Sequence, residues 1–215
     1  MRDIIFFDLD GTLTDPALGI TNSILHALGK MGRDLPQRES LYRFIGPPLV
    51  PAFQEFLGMT EEEANRALTL YREYFSVTGL FENTPYDGVE NALARLRDGG
   101  CTLVLATSKP EKFAVRILEH FGLAQYFTKI CGASMDEKRN TKDAVIGYAL
   151  DLLGNPDVSR VVMVGDRHHD VQGAAVYGIP TVGVLWGYGS PDELNDAGAE
   201  TVVADMAEMV KVLLK

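Results

Sequence analysis

The chain has 215 residues, 46% of them hydrophobic and 23% charged, proportions of a folded soluble protein that leave out disordered and collagen-like classes. Its formal net charge of -10 repels nucleic-acid phosphates and anionic membrane surfaces, so neither is expected as a partner, and a phosphorylated ligand would need local positive charge. At this length one large domain, or a core with a smaller inserted domain, can bury a sizeable interior.

Residues 4–7 are an apolar run that reads as a buried strand, and it leads directly into Phe7-Asp8-Leu9-Asp10-Gly11-Thr12. So short a run before Asp8 provides no signal-peptide core, and no stretch of ~18 apolar residues follows to span a bilayer. Cytoplasm is the expected location. Residues two apart in an extended chain project to the same side, so Asp8 and Asp10 can face one site. Two neighbouring carboxylates repel unless a cation lies near or one takes a proton. Either outcome serves catalysis, since Mg2+ prefers oxygen ligands and a protonated acid can assist a leaving group. Gly11 permits a tight turn, and a solvated Asp-x-Asp-Gly turn is the plain alternative.

Between residues 16 and 82 there is no strand pattern. Helical periodicity covers 20–31, 49–57 and 61–75, which predicts an inserted helical subdomain. Thr60 followed by Glu61, Glu62 and Glu63 has the form of a helix start, and Gly46-Pro47-Pro48 marks a helix boundary.

Beyond this block, apolar runs at 102–106, 129–131, 161–164, 181–185 and 201–203 alternate with amphipathic stretches at 89–96, 111–121, 143–153 and 171–177. The class is α/β with a doubly wound parallel sheet, whose ligands bind outside the carboxyl ends of the strands. Thr107, with Ser108 in the turn after it, is a phosphate-binding candidate through its hydroxyl and nearby backbone N–H groups. Lys109 is expected at the surface, where its place near the rim leaves a substrate contact open. Lys142, opening a helix, can offset phosphate charge, whereas Lys138 and Arg139 are expected to be solvated. Asp166 can bind a metal directly and Asp170 through water or as a support to its ligands. His168 and His169 are expected as loop residues, because adjacent residues make poor joint ligands and a carboxylate-rich site favours hard cations. Gly187-Tyr188-Gly189 lets backbone approach the site, or is a plain turn. Cys101 and Cys131 are expected as free buried thiols.

The motifs occur in the order Asp-x-Asp-Gly-Thr, Thr, Lys and Gly-Asp-x-x-x-Asp. In this order and over nearly the whole chain, the sequence resembles the haloacid dehalogenase superfamily of phosphohydrolases. The helical insertion resembles that family's smaller cap. The stretches Phe44-Ile45-Gly46-Pro47-Pro48-Leu49 and Val184-Leu185-Trp186-Gly187-Tyr188-Gly189 are similar to its phosphoglycolate phosphatase-like branch. The chain departs from the pattern at Asp143, which follows Lys142 where many relatives have proline, and at Asp87, where only a turn effect is expected.

The resemblance implies a catalytic core of residues 1–15 and 83–215 and a cap of residues 16–82. It implies that Asp8 attacks a phosphomonoester to form an aspartyl-phosphate and that Asp10 acts as general acid, then base. Mg2+ would lie on Asp8, the Asp10 carbonyl and Asp166, with Asp170 nearby and Lys142, Thr107 and Ser108 around the phosphate. Asn22, His26, Arg43 and Arg72 are the cap candidates for substrate contact. The expected partner is a small phosphorylated metabolite, and the expected assembly a monomer or small homo-oligomer. Competing readings are a nucleotidase or pyrophosphatase of the same family, a phosphosugar mutase and a receiver-like module that holds the phosphoryl group. A phosphonate hydrolase would need a Schiff-base lysine in the insertion, where Lys30 is the only lysine.

Overall fold

A computed structural model describes residues 2–136 and 138–215. The chain forms two compact units, one of Met1–Thr14 with Pro85–Lys215 and one of Asp15–Thr84.

The first unit is built on a six-stranded parallel sheet. Its strands are β1 (Ile4–Phe7), β4 (Thr102–Pro110), β5 (Lys129–Ala133), β6 (Val161–Gly165), β7 (Thr181–Val184) and β8 (Thr201–Val203). A separate two-stranded ladder, β2 (Thr14–Asp15) and β3 (Thr84–Pro85), lies where the chain leaves and rejoins this unit. The main sheet has the order β5-β4-β1-β6-β7-β8. The chain therefore builds outward from β1 to one side, then crosses back to continue from β6 on the other. The strand order reverses between β1 and β6, the place where open α/β sheets bind ligands. Phe7 pairs with Leu105 and Val164, so β1, β4 and β6 end level with one another.

Alternate residues of these strands are buried on both faces, as the unbroken apolar runs predict. Ile4, Phe6, Val104, Ala106, Cys131, Val161 and Met163 pack on one side with residues of two covering helices, α6 (Lys142–Leu152) and α7 (His168–Ala175). Ile5, Phe7, Leu103, Leu105, Val162 and Val164 are equally buried. The remaining helices of the unit are α4 (Val89–Asp98), α5 (Glu111–His120), α8 (Pro191–Ala197) and α9 (Met206–Leu213). The last two carry no element in the sequence reading. Both cysteines are free, but only Cys131 is buried; Cys101 is partly exposed, contrary to expectation.

The second unit is helical. It contains α1 (Ala17–Lys30), a 3-10 turn at Arg38–Phe44, α2 (Leu49–Leu57) and α3 (Glu61–Tyr74), with α3 packed against both α1 and α2. Thr60 caps α3 in a reciprocal box with Glu63, so two otherwise orphaned donors of the first turn are satisfied. Pro48 sits immediately before α2, where a missing N–H costs nothing.

No helix of the described residues is long and apolar enough to cross a membrane.

Candidate active site

Asp8 follows the last residue of β1, and Asp166 the last residue of β6, so adjacent strands deliver two carboxylates across the switch point. The Asp8 N–H donates to the Val164 carbonyl at 2.9 Å, which continues the ladder by one bond and fixes where the Asp8 side chain emerges. Asp170 lies in the first turn of α7. Carboxylate oxygens of Asp8, Asp166 and Asp170 come within 4.8 Å of one another, and all three residues are buried. Asp166 and Asp170 resist ionisation. Burial first, then Asp170 and Asp8, raises the Asp166 carboxyl well above its usual range. Burial chiefly, against the pull of Lys142, lifts Asp170 to about 6. An all-oxygen set of hard donors with excess negative charge fits Mg2+.

Lys142, the first residue of α6, is the counter-charge. Its Nζ lies 2.7 Å from Asp8 Oδ1 and 2.7 Å from Asp170 Oδ1, and it donates to the Ala106 carbonyl at 3.1 Å. Burial opposes its charge, but Asp170 and Asp8 more than offset this and raise its pKa. The aspartate that follows Lys142 in place of proline leaves this placement intact.

Asp10 is also buried, with its Oδ2 2.7 Å from Lys109 Nζ. Its Oδ1 is buried and makes no hydrogen bond among the described residues. Burial raises its pKa, and Lys109 pulls the other way. The Asp10 carboxylate is not among the three clustered acids. Thr107 is buried within β4, just after its apolar run, where its Oγ1 accepts from the Lys109 N–H at 3.2 Å, and Ser108 beside it is partly exposed.

Two glycine positions fix how closely these loops pack. Gly11 has φ +86°, and a Cβ there would lie 2.2 Å from Asp166 Oδ2. A Cβ at Gly187 would lie 2.4 Å from the same oxygen. The segment after β7 is therefore no plain turn: the Tyr188 N–H donates to Asp166 Oδ2 at 2.8 Å, and Trp186 Nε1 donates to the Thr12 carbonyl at 2.9 Å.

Residues 5–184 match the family model of haloacid dehalogenase-like hydrolases. The chain belongs to that family. A 5'-nucleotidase of Pseudomonas aeruginosa is 44% identical over 209 residues, covering 97% of this chain and 94% of the relative. The tyrosine-protein kinase PtkA of Mycobacterium tuberculosis is 45% identical over 204 residues, covering 95% of this chain and 69% of its own. The crystal structure of a predicted phosphatase from Clostridium acetobutylicum superposes with a TM-score of 0.96 at 46% identity, covering 100% of this chain and 99% of that one. Proteins named phosphoglycolate phosphatase are also similar, at 27–31% identity.

Against the sequence reading of this hydrolase, three corrections stand. Lys109 is not a surface residue but 8% exposed and ion-paired with Asp10. Lys109 lies in β4 two residues after the buried Thr107, on the same side of an extended chain, and the pairing of β4 with β5 is irregular between Thr107 and Pro110. His168 and His169 open α7 rather than lying in a loop, and His168 Nδ1 lies 2.7 Å from Glu193 Oε1. Arg139 is partly buried, with its Nε donating to the Gly132 carbonyl at 2.9 Å and its guanidinium 3.6 Å from the centre of the Tyr148 ring; Lys138 is exposed, as expected.

Within the helical unit the four candidate contacts have separate surroundings. Asn22 donates to Glu82 at 2.9 Å and accepts from Arg38 at 2.8 Å. His26 stacks obliquely on Tyr74 and approaches Glu73. Arg43 is exposed, donating to the Phe56 carbonyl and lying over the Phe56 ring. Arg72 is in the last turn of α3. A 510 Å³ cavity lined by Asp15, Leu18, Arg38, Tyr42, Phe81 and Glu82, among others, gathers a cation, two carboxylates and two aromatic rings. Nothing in the sequence singles out Arg38, which lies in a polar stretch after Pro36.

Proposed function

We propose that this hydrolase is a Mg2+-dependent phosphatase that cleaves a small phosphomonoester through an aspartyl-phosphate on Asp8. The observation that carries the reading is Lys142 bridging Asp8 and Asp170 beside Asp166, a buried group of three acids and one base at the sheet's switch point. Asp8, Asp166 and Asp170 would hold the cation. When bound, Mg2+ would neutralise phosphate oxygens and polarise phosphorus.

Asp8 attacks phosphorus in line, forming its carboxyl O–P bond as the bond to the alcohol oxygen breaks. The departing alkoxide takes a proton from Asp10, whose buried position favours the protonated acid. Asp10, now ionised, removes a proton from water, which attacks the phosphorus and frees Asp8. Lys142 keeps the Asp8 oxygen oriented and opposes the charge of the incoming phosphate, with Thr107 and Ser108 as hydroxyl donors to it. The relatives' names support phosphoglycolate and nucleoside 5'-monophosphates as substrates to test first. The 45% identity to a protein named tyrosine-protein kinase supports a second reading, with a tyrosine hydroxyl replacing water as acceptor.

The test is phosphate release from a panel of phosphomonoesters with Mg2+, with EDTA, and with Asp8→Asn. Release that requires both Mg2+ and Asp8 is the expected result. Stable labelling of Asp8 without turnover would favour a receiver-like module, and transfer to a tyrosine peptide would favour the second reading.

A further inference from the structure

Glu193 lies on α8, outside every motif of the sequence, yet one of its oxygens gathers three donors from the segment that links Asp166 to Asp170. Glu193 Oε1 accepts from the His168 N–H at 3.0 Å and from Arg167 Nε at 2.8 Å, and lies 2.7 Å from His168 Nδ1. The His168 N–H opens α7 and has no partner within that helix, so Glu193 caps α7 from another element. Arg167 and His168 are the first two of the three residues between the acids. The Arg167 N–H donates in turn to Asp170 Oδ2 at 3.1 Å. The carboxylate is thus coupled to both ends of the acidic segment.

Glu193 is itself delivered from a fixed helix. Ser190 caps α8 by accepting from the Glu193 N–H at 3.1 Å, and the fully buried Leu194 seats the helix over Gly183 of β7, where a Cβ would lie 2.9 Å from Leu194 Cδ1. Burial opposes the Glu193 charge, but hydrogen bonds from His168 and Arg167 hold its carboxyl at about 2.

We propose that Glu193 is a positioning residue for the acidic cluster, fixing the 166–170 segment and so the spacing at which Asp166 and Asp170 take a divalent cation. The proposal rests on the metal-dependent reading above. Outer partners of metal ligands typically contribute roughly 10–100-fold in affinity, and this one acts through backbone and side chain together.

The experiment is Mg2+ binding to the full chain, followed calorimetrically and by the rise in melting temperature, with no substrate present. Glu193→Ala removes the acceptor, Glu193→Asp keeps its charge but shortens its reach, and Glu193→Gln keeps the acceptor and its reach. We expect Mg2+ affinity about tenfold weaker or more in the first two, with Glu193→Gln close to wild type. At saturating Mg2+, kcat should recover in Glu193→Asp, which a general loss of folding would not allow. If Glu193→Ala does not fold, Glu193→Asp decides. Affinity within twofold of wild type in Glu193→Asp, or in Glu193→Ala where it folds, taken as about 0.4 kcal/mol, overturns the positioning role while leaving the phosphatase reading intact. A wild-type chain that binds no Mg2+ overturns both.

Discussion

If the acidic cluster holds Mg2+ as proposed, protons compete with the metal for it, and the competition can be sized. Burial holds the Asp170 carboxyl at about 6 and Asp166 higher than usual. Near pH 5 only about a tenth of molecules have Asp170 ionised, against nearly all near pH 8, so Mg2+ should bind about tenfold more weakly at the lower pH from this residue alone. With Mg2+ well above its Kd at both pH values, that factor is about 1.4 kcal/mol of stabilisation, or about 3–6 °C in melting temperature for a chain of this size. The assay compares melting in Mg2+ with melting in EDTA at each pH, so that the chain's own pH dependence cancels. That dependence has a definite sign for these acids. Without Mg2+ the folded chain holds protons that the unfolded chain releases above about pH 4, so their contribution favours folding at low pH and is lost as pH rises through about 6. His169 does not interfere, since burial and the neighbouring cations hold its pKa at about 4 and it stays neutral over the range. Equal Mg2+ increments at the two pH values would refute the reasoning, because they would mean the acids are already ionised without the metal.

Three further outcomes follow from the same geometry. Lys142→Met leaves Asp8 and Asp170 buried without their cation; urea unfolding in EDTA near pH 8 should show a loss of about 3–5 kcal/mol, and phosphate release should fall to background. Lys109→Met removes the cation that opposes the raised Asp10 pKa, so the alkaline limb of kcat/KM, set by loss of the Asp10 proton, should move to higher pH; an unmoved limb would deny Asp10 the role of acid. Gly11→Ala forces a side chain into φ +86° and against Asp166 Oδ2, and denaturation should show a cost of about 1–2 kcal/mol or more, with Mg2+ affinity reduced in calorimetry.

The catalytic candidates were legible because each stands beside a feature that sequence records well. Asp8, Asp166 and Thr107 each follow an unbroken apolar run, and Lys142 opens an amphipathic helix. Such periodicity is local, and the parallel sheet converts it directly into position. What escaped the reading depends on pairing between distant segments. Lys109 is buried against Asp10, which belongs to a distant segment of the chain. Glu193 and Trp186 matter through partners 25 and 174 residues away. Arg38 holds Asn22 within the helical unit through a bond across 16 residues. Short helices such as α8 carry too few apolar residues to display a period, although α8 presents the acid that orders the neighbouring segment.

The net charge of -10 and a phosphate ligand are reconciled by distance. At physiological ionic strength charges further than about 8 Å are largely screened, so surface acids weigh little against what lies within the site. There, three carboxylates face one ammonium, and when all are ionised two negative charges remain uncompensated. The Asp10–Lys109 pair adds none when both are charged. One divalent cation would therefore bring the group to neutrality, and a phosphomonoester dianion would then enter a site that no longer repels it. The raised carboxyls of Asp166 and Asp170 express the same imbalance in the metal-free chain, where protons relieve part of it. Selection for phosphate in this chain thus resides in the stoichiometry of buried charge, and removing one acid should do more than weaken metal binding. Asp170→Asn halves the excess, so a divalent cation would leave the group positively charged. Inorganic phosphate should then bind the Mg2+-loaded variant more tightly than it binds the wild type even as turnover falls, and phosphate inhibition that is unchanged in Asp170→Asn would show that local charge does not govern the site.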